Sequence, residues 1–182
     1  MLLMSVAAVR AECPDLTRLG SNASAAFVGR FYDSYWALSF QIPSGLTAYS
    51  DKAPNPMHGI VIPLPWSPPS AIYVFAYDKP RAASMKTVES DQMEVLRSGG
   101  SIASISSRHS SRIDSRIAAE YDVAYACGGD DPLMEQFFLV ENPGHGIFYR
   151  IGLYSHRSRW KSDQTVFRKI IATCHIHAAP VS

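Results

Sequence analysis

The shortages in this chain are the first guide to it. Seventeen lysines and arginines face sixteen acids, a formal net charge of +1. So small an excess makes no field that would hold nucleic acid or an acidic membrane surface. No apolar run reaches the roughly 18 residues a membrane span needs. There is no internal repeat and no low-complexity tract. Walker, Rossmann, G-x-S-x-G and H-E-x-x-H patterns are all missing. The enzyme classes that a short motif would announce are therefore not announced. Cysteine is scarce as well, with single residues at 13, 127 and 174. None of them has the close pairing of a zinc knuckle.

What is present points to one exported domain. A length of 182 residues leaves no room for two sizeable cores. Leu2 to Val9 is apolar apart from Ser5, and Val9-Arg10-Ala11 sets small residues at −3 and −1 of a signal-peptidase site. The run is short and has no basic residue before it. The expectation is a signal peptide over 1–11, a mature domain over 12–182, and a periplasmic or secreted protein. Three cysteines in an oxidising compartment suggest one disulfide and one spare thiol. Cys13 and Cys174 are the expected pair. Cys127 is then the spare, with a Cys127–Cys174 link as the alternative.

The pattern along the chain is mainly strand. FYDSYWALSFQIP alternates and reads as one strand, stopped by Pro43-Ser44-Gly45. HGIVIPL is a short strand, and AIYVFAY is apolar on both faces, as a mid-sheet strand should be. Ser84 to Arg97 reads as a capped helix that ends before Gly99-Gly100. SIASISS is a strand and RHSSRIDSR a polar turn. IAAEYDVAYAC, EQFFLVE and IFYRIGLYS should form an antiparallel meander joined by GGDDP and NPGHG. A last helix starts from a Ser162 cap with Asp163 in its first turn. It buries Val166, Phe167, Ile170, Ile171 and Cys174 at helical spacing.

Candidate chemistry is thin. Cys174, His175 and His177 lie close together, but no second ligand pair completes a tetrahedral site, so no metal or other cofactor is expected. His109, Ser110 and Asp114 could be named as a triad, yet neighbours on one polar turn are not an oriented one. Cys127 sits beside Gly128-Gly129-Asp130-Asp131, whose acidity disfavours a thiolate. Two binding candidates remain. HRSRWK carries Arg157, Arg159 and Trp160, a basic and aromatic set suited to an anion. His58 stands at the mouth of a strand after a long loop, where binding residues tend to sit.

The segments YWALSFQIPSG (35–45), HGIVIPL (58–64), SRIAAEYDVAY (115–125) and IFYRIGLYSHRSRWKSDQTVFRKIIATC (147–174) resemble the PsbP-like fold. That fold is shared by photosystem accessory subunits and bacterial DcrB-type envelope proteins. The resemblance implies an α+β class, an α/β/α sandwich around an antiparallel β-sheet. It carries no catalytic residues. It favours a non-catalytic binding or accessory protein of the envelope that acts on a protein partner. A small hydrolase using a loop histidine, His58 or His109, is the alternative.

Overall fold

The computed structural model describes residues 14–16, 25–50, 58–78, 84–98, 101–127 and 129–178. The expected signal peptide and Cys13 lie outside these residues. Short strands open the fold: β1 (Ala25–Phe27), β2 (Arg30–Asp33), β3 (Leu38–Gln41) and β4 (Ala48–Ser50). Then come β5 (His58–Leu64), β6 (Ser70–Asp78), α1 (Met85–Ser98) and β7 (Ile102–Ile113). The rest comprises β8 (Arg116–Tyr125), β9 (Leu133–Asn142), β10 (Ile147–His156), α2 (Trp160–Ala172) and β11 (His175–Ile176).

Eight strands form one antiparallel sheet in the order β1-β4-β5-β6-β10-β9-β8-β7, and β11-β3-β2 form a second sheet. The expected α+β class holds. β6 lies between β5 and β10, and its alternation explains why both of its faces are apolar. Ile72, Val74 and Ala76 point to one face, with Ile151 and Leu153 of β10. Phe167 and Ile170 of α2 cover that side, together with Leu38 and Phe40 of the small sheet. Ala71 and Tyr73 point the other way and join Tyr121, Val123, Phe137 and Leu139. Met85, Met93 and Leu96 of α1 pack against this second cluster. The two helices differ in depth: α2 buries Phe167 and Ile170, whereas no residue of α1 is buried.

Four local readings need correction. The FYDSYWALSFQIP segment is a hairpin, not one strand. β2 and β3 pair around the turn at 34–37, where Asp33 accepts the Trp36 N–H at 2.8 Å and Ala37 takes a φ of 49°. RHSSRI is the second half of β7, not a turn. It is an edge strand without an apolar alternation, and the reversal waits for Asp114 and Ser115, with φ of 47° and 65°. Ser162 does not cap α2. The cap position is Arg159, and the Ser162 hydroxyl donates back to the Arg159 carbonyl at 2.7 Å. Finally, α2 ends before Cys174, and the next two residues form β11 against β3.

Candidate binding site

The small sheet stands over one end of the large one, and a cavity of about 200 Å³ lies between them. Phe31 of β2, Trp36 of the turn and Leu38 of β3 line it from the small sheet, and Phe27 lines it from β1 at the edge of the large one. Ile60, Val74 and Ala76 of β5 and β6 form the floor, where Gly59 adds no side chain. Two polar groups, Asp33 and Ser50, complete the lining. The aromatic wall is itself packed: Phe27 meets Phe31 edge-on at 5.2 Å, and Tyr35 meets Trp36 edge-on at 4.9 Å. Apolar walls with few polar groups are the usual makeup of a binding cavity.

The turn that carries Trp36 is held from three sides. Asp33 binds the Trp36 N–H. The Tyr149 hydroxyl, from the buried face of β10, donates to the Trp36 carbonyl at 2.5 Å. Burial pushes the Tyr149 phenol up, which keeps that donor protonated. The His177 N–H donates to the Ala37 carbonyl at 2.8 Å, so the C-terminal segment fastens the turn as well. The same hairpin exposes Tyr32 at 59% and Tyr35 at 69%, and Val28 just before it is 70% exposed; none of the three lines the cavity.

His58 opens β5 opposite Ala76, one residue before the cavity-lining Gly59. Its side chain, like those of His109 and Ser110, lies outside the described residues. Arg157, Arg159 and Trp160 go three different ways. Arg157 is exposed, Arg159 lies over the Trp66 ring at 4.9 Å and 3.9 Å from Asp163, and Trp160 packs against the first core cluster. None of the three lines the cavity.

The residues of the CHIH cluster also diverge. Cys174 is buried in the core, the exposed His175 faces Asp114 at 3.4 Å, and His177 meets the Ser39 hydroxyl at 3.0 Å. The expected Cys13–Cys174 disulfide is not formed, because Cys174 is a free thiol packed among core side chains. Burial, with a smaller push from Asp114, raises that thiol to about 12. It is therefore held as the inert protonated form.

Two arrangements look catalytic at first sight. Ser39 and His177 have nucleophile–base spacing, but Ser39 is fully buried on β3 and its hydroxyl has no approach for a substrate. Asp131, Ser158 and His156 also cluster. There the Asp131 carboxylate accepts both the backbone N–H and the hydroxyl of Ser158, at 2.8 and 2.7 Å. Those bonds hold the carboxyl below its ordinary range and pin the loop after β10. Asp114, the third member of the triad considered above, instead accepts the Ile176 N–H at 2.8 Å and fixes β11.

The cavity could not have been read from the sequence. Its walls come from β1 to β3 on one side and from β5 and β6, well separated in the chain, on the other, and Asp33 and Trp36 looked like neighbours on a continuous strand. An Asp three residues before a residue whose N–H it caps is the one local signal, that of an Asx turn.

No protein-family model and no curated protein sequence matches the chain. Solved structures do. Cyanobacterial PsbP (CyanoP) from Synechocystis superimposes with a TM-score of 0.56 at 14% identity, covering 87% of this chain and 96% of its own. The Saccharomyces cerevisiae Ran-binding protein Mog1p gives 0.54 at 8% identity, covering 85% and 97%. A Bacteroides thetaiotaomicron protein gives 0.52 at 10%, covering 82% of this chain and 48% of that one. At such identities the likeness is one of fold, and the fold of this chain is PsbP-like.

Proposed function

We propose that this is an exported, non-catalytic binding or accessory protein that engages a protein partner through the β2–β3 hairpin and the cavity beneath it. The observation that carries this reading is the exposure of Tyr32 and Tyr35 on the β2–β3 hairpin, whose Phe31, Asp33, Trp36 and Leu38 line the aromatic-walled cavity. Tyrosine supplies large contact area at low entropic cost, and exposed apolar groups gathered at one place mark interaction surfaces. Mog1p, described as Ran-binding, supports the reading as a similar fold that binds a protein.

The test is in-cell crosslinking followed by mass spectrometry, with wild type and a Tyr32→Ser/Tyr35→Ser variant. A partner recovered with wild type and lost with an equally stable variant supports the proposal. Recovery unchanged by the double substitution would place the interface elsewhere.

Export brings a disulfide with it, and we propose Cys13–Cys127 as the pair. Cys174 is a free buried thiol, and Cys127 is not a free thiol. Leu16, three residues after Cys13, is buried in the same cluster against which Cys127 packs.

A further inference from the structure

We propose that the cavity under the β2–β3 hairpin receives a lysine side chain of the partner protein. This rests on the partner-binding reading above and gives it a chemistry. The decisive group is Asp33. Asp33 lines the cavity together with Ser50 and a set of apolar side chains, and is half-buried there. One oxygen, Oδ1, is occupied by the Trp36 N–H at 2.8 Å. Among the described residues no cation pairs with it. A carboxylate drawn partly out of water beside aromatic rings, with no counter-charge of its own, is matched by a ligand that brings one.

The walls set the rest of the ligand. Phe27, Phe31 and Trp36 offer ring surface to a cation and to the methylenes that carry it. A cavity of about 200 Å³ is smaller than the range occupied by drug-sized ligands and suits a single side chain. Arginine fits less well than lysine. Its planar fork is best satisfied by two carboxylate oxygens side by side, and Trp36 has already taken one. An ammonium is a point charge and needs only the other.

Three capped amino acids serve as probes: N-acetyl-lysine methylamide, its uncharged isostere N-acetyl-norleucine methylamide, and N-acetyl-arginine methylamide. Binding is followed by NMR at the Trp36 indole in the full chain. Lysine should bind at least about tenfold more tightly than norleucine, a difference of about 1.4 kcal/mol. It should also bind more tightly than arginine. Asp33→Asn should abolish the preference over norleucine while leaving norleucine binding in place. Equal binding of lysine and norleucine by wild type would overturn the proposal, as would a preference that survives Asp33→Asn or an unmoved Trp36 signal with every probe. No partner is present in this experiment. A negative result therefore removes lysine recognition and leaves the Tyr32/Tyr35 crosslinking test to decide the partner reading independently.

Discussion

Glu135 and Arg150 meet at 2.6 Å on the α1 side of the large sheet, the carboxylate fully buried and the guanidinium nearly so. The pair does not stand alone. Tyr73 and Tyr125 donate their hydroxyls to the two carboxylate oxygens, and Arg150 Nε donates to the Tyr73 oxygen at 2.9 Å. The guanidinium lies 4.2 Å over the Phe137 ring, and its Nη1 reaches Gln92 of α1 at 2.9 Å. This is a satisfied network whose members leave one another exposed to large penalties if one is lost.

Arg150→Met should therefore cost about 3–5 kcal/mol, because the Glu135 charge stays buried without its partner. Glu135→Leu combined with Arg150→Met should cost clearly less than the sum of the two single changes. Urea denaturation of the four proteins checks both statements. Additive costs would mean that the two groups do not depend on each other.

A second prediction concerns Gly152, which faces the same network from β10. A Cβ at this position would run into the Tyr73 hydroxyl and the ring carbon behind it. Tyr73 is buried and tied to both Glu135 and Arg150, so it cannot swing aside. Gly152→Ala should destabilise by about 1–3 kcal/mol as overpacking, or more if the network opens. Gly59→Ala presses only on the less buried Phe75 ring and should cost less. Equal thermal stability of the two variants would show that Tyr73 is freer than its bonds imply.

How much of this was legible depends on where a strand sits. β6 could be read because both of its faces are buried, and α2 because Phe167 and Ile170 repeat at helical spacing against the sheet. The second half of β7 was lost because an edge strand with exposed Arg108 and Arg112 gives no apolar alternation to detect. The Glu135–Arg150 pair was equally hidden: nothing in MEQFFLVE or FYRIGLY says that one charge will be buried against the other. The β2–β3 hairpin was missed because its turn is closed by Asp33 and a left-handed Ala37, not by the glycine or asparagine that usually marks one.

Cys174 makes a third, pH-dependent prediction. Its folded pKa is about 12 against an ordinary 9, so between these values the folded chain keeps a proton that the unfolded chain releases. Stability must then fall as pH rises above about 9, by up to about 1.4 kcal/mol per unit from this group. Cys174→Ala should reduce the slope near pH 9, to which the raised tyrosines, with an ordinary value of 10, add an increasing share as the pH climbs. In native protein at pH 8 a thiol reagent should leave Cys174 unlabelled until denaturant is added. Rapid native labelling, or an unchanged slope in the variant, would contradict its burial.

The last prediction joins export to the Cys13–Cys127 link. Cys13 would be the second residue of a chain cut before Glu12, and Leu16 is already seated in the cluster beside Cys127. A bridge there would tie the mature N-terminus to the close of β8 and enclose all of β1 to β8. In the chain-entropy model a loop of that length stabilises by about 4–5 kcal/mol, and native strain commonly reduces the gain. Protein isolated from the periplasm without reductant should begin at Glu12, yield one linked peptide containing 13 and 127, and carry a single thiol at 174. Reductant should lower its melting temperature, while Cys13→Ala/Cys127→Ala should melt at the reduced value and ignore reductant. Three free thiols, or a linked peptide containing Cys174, would remove the pairing. A species that keeps Met1 would remove the export on which it depends.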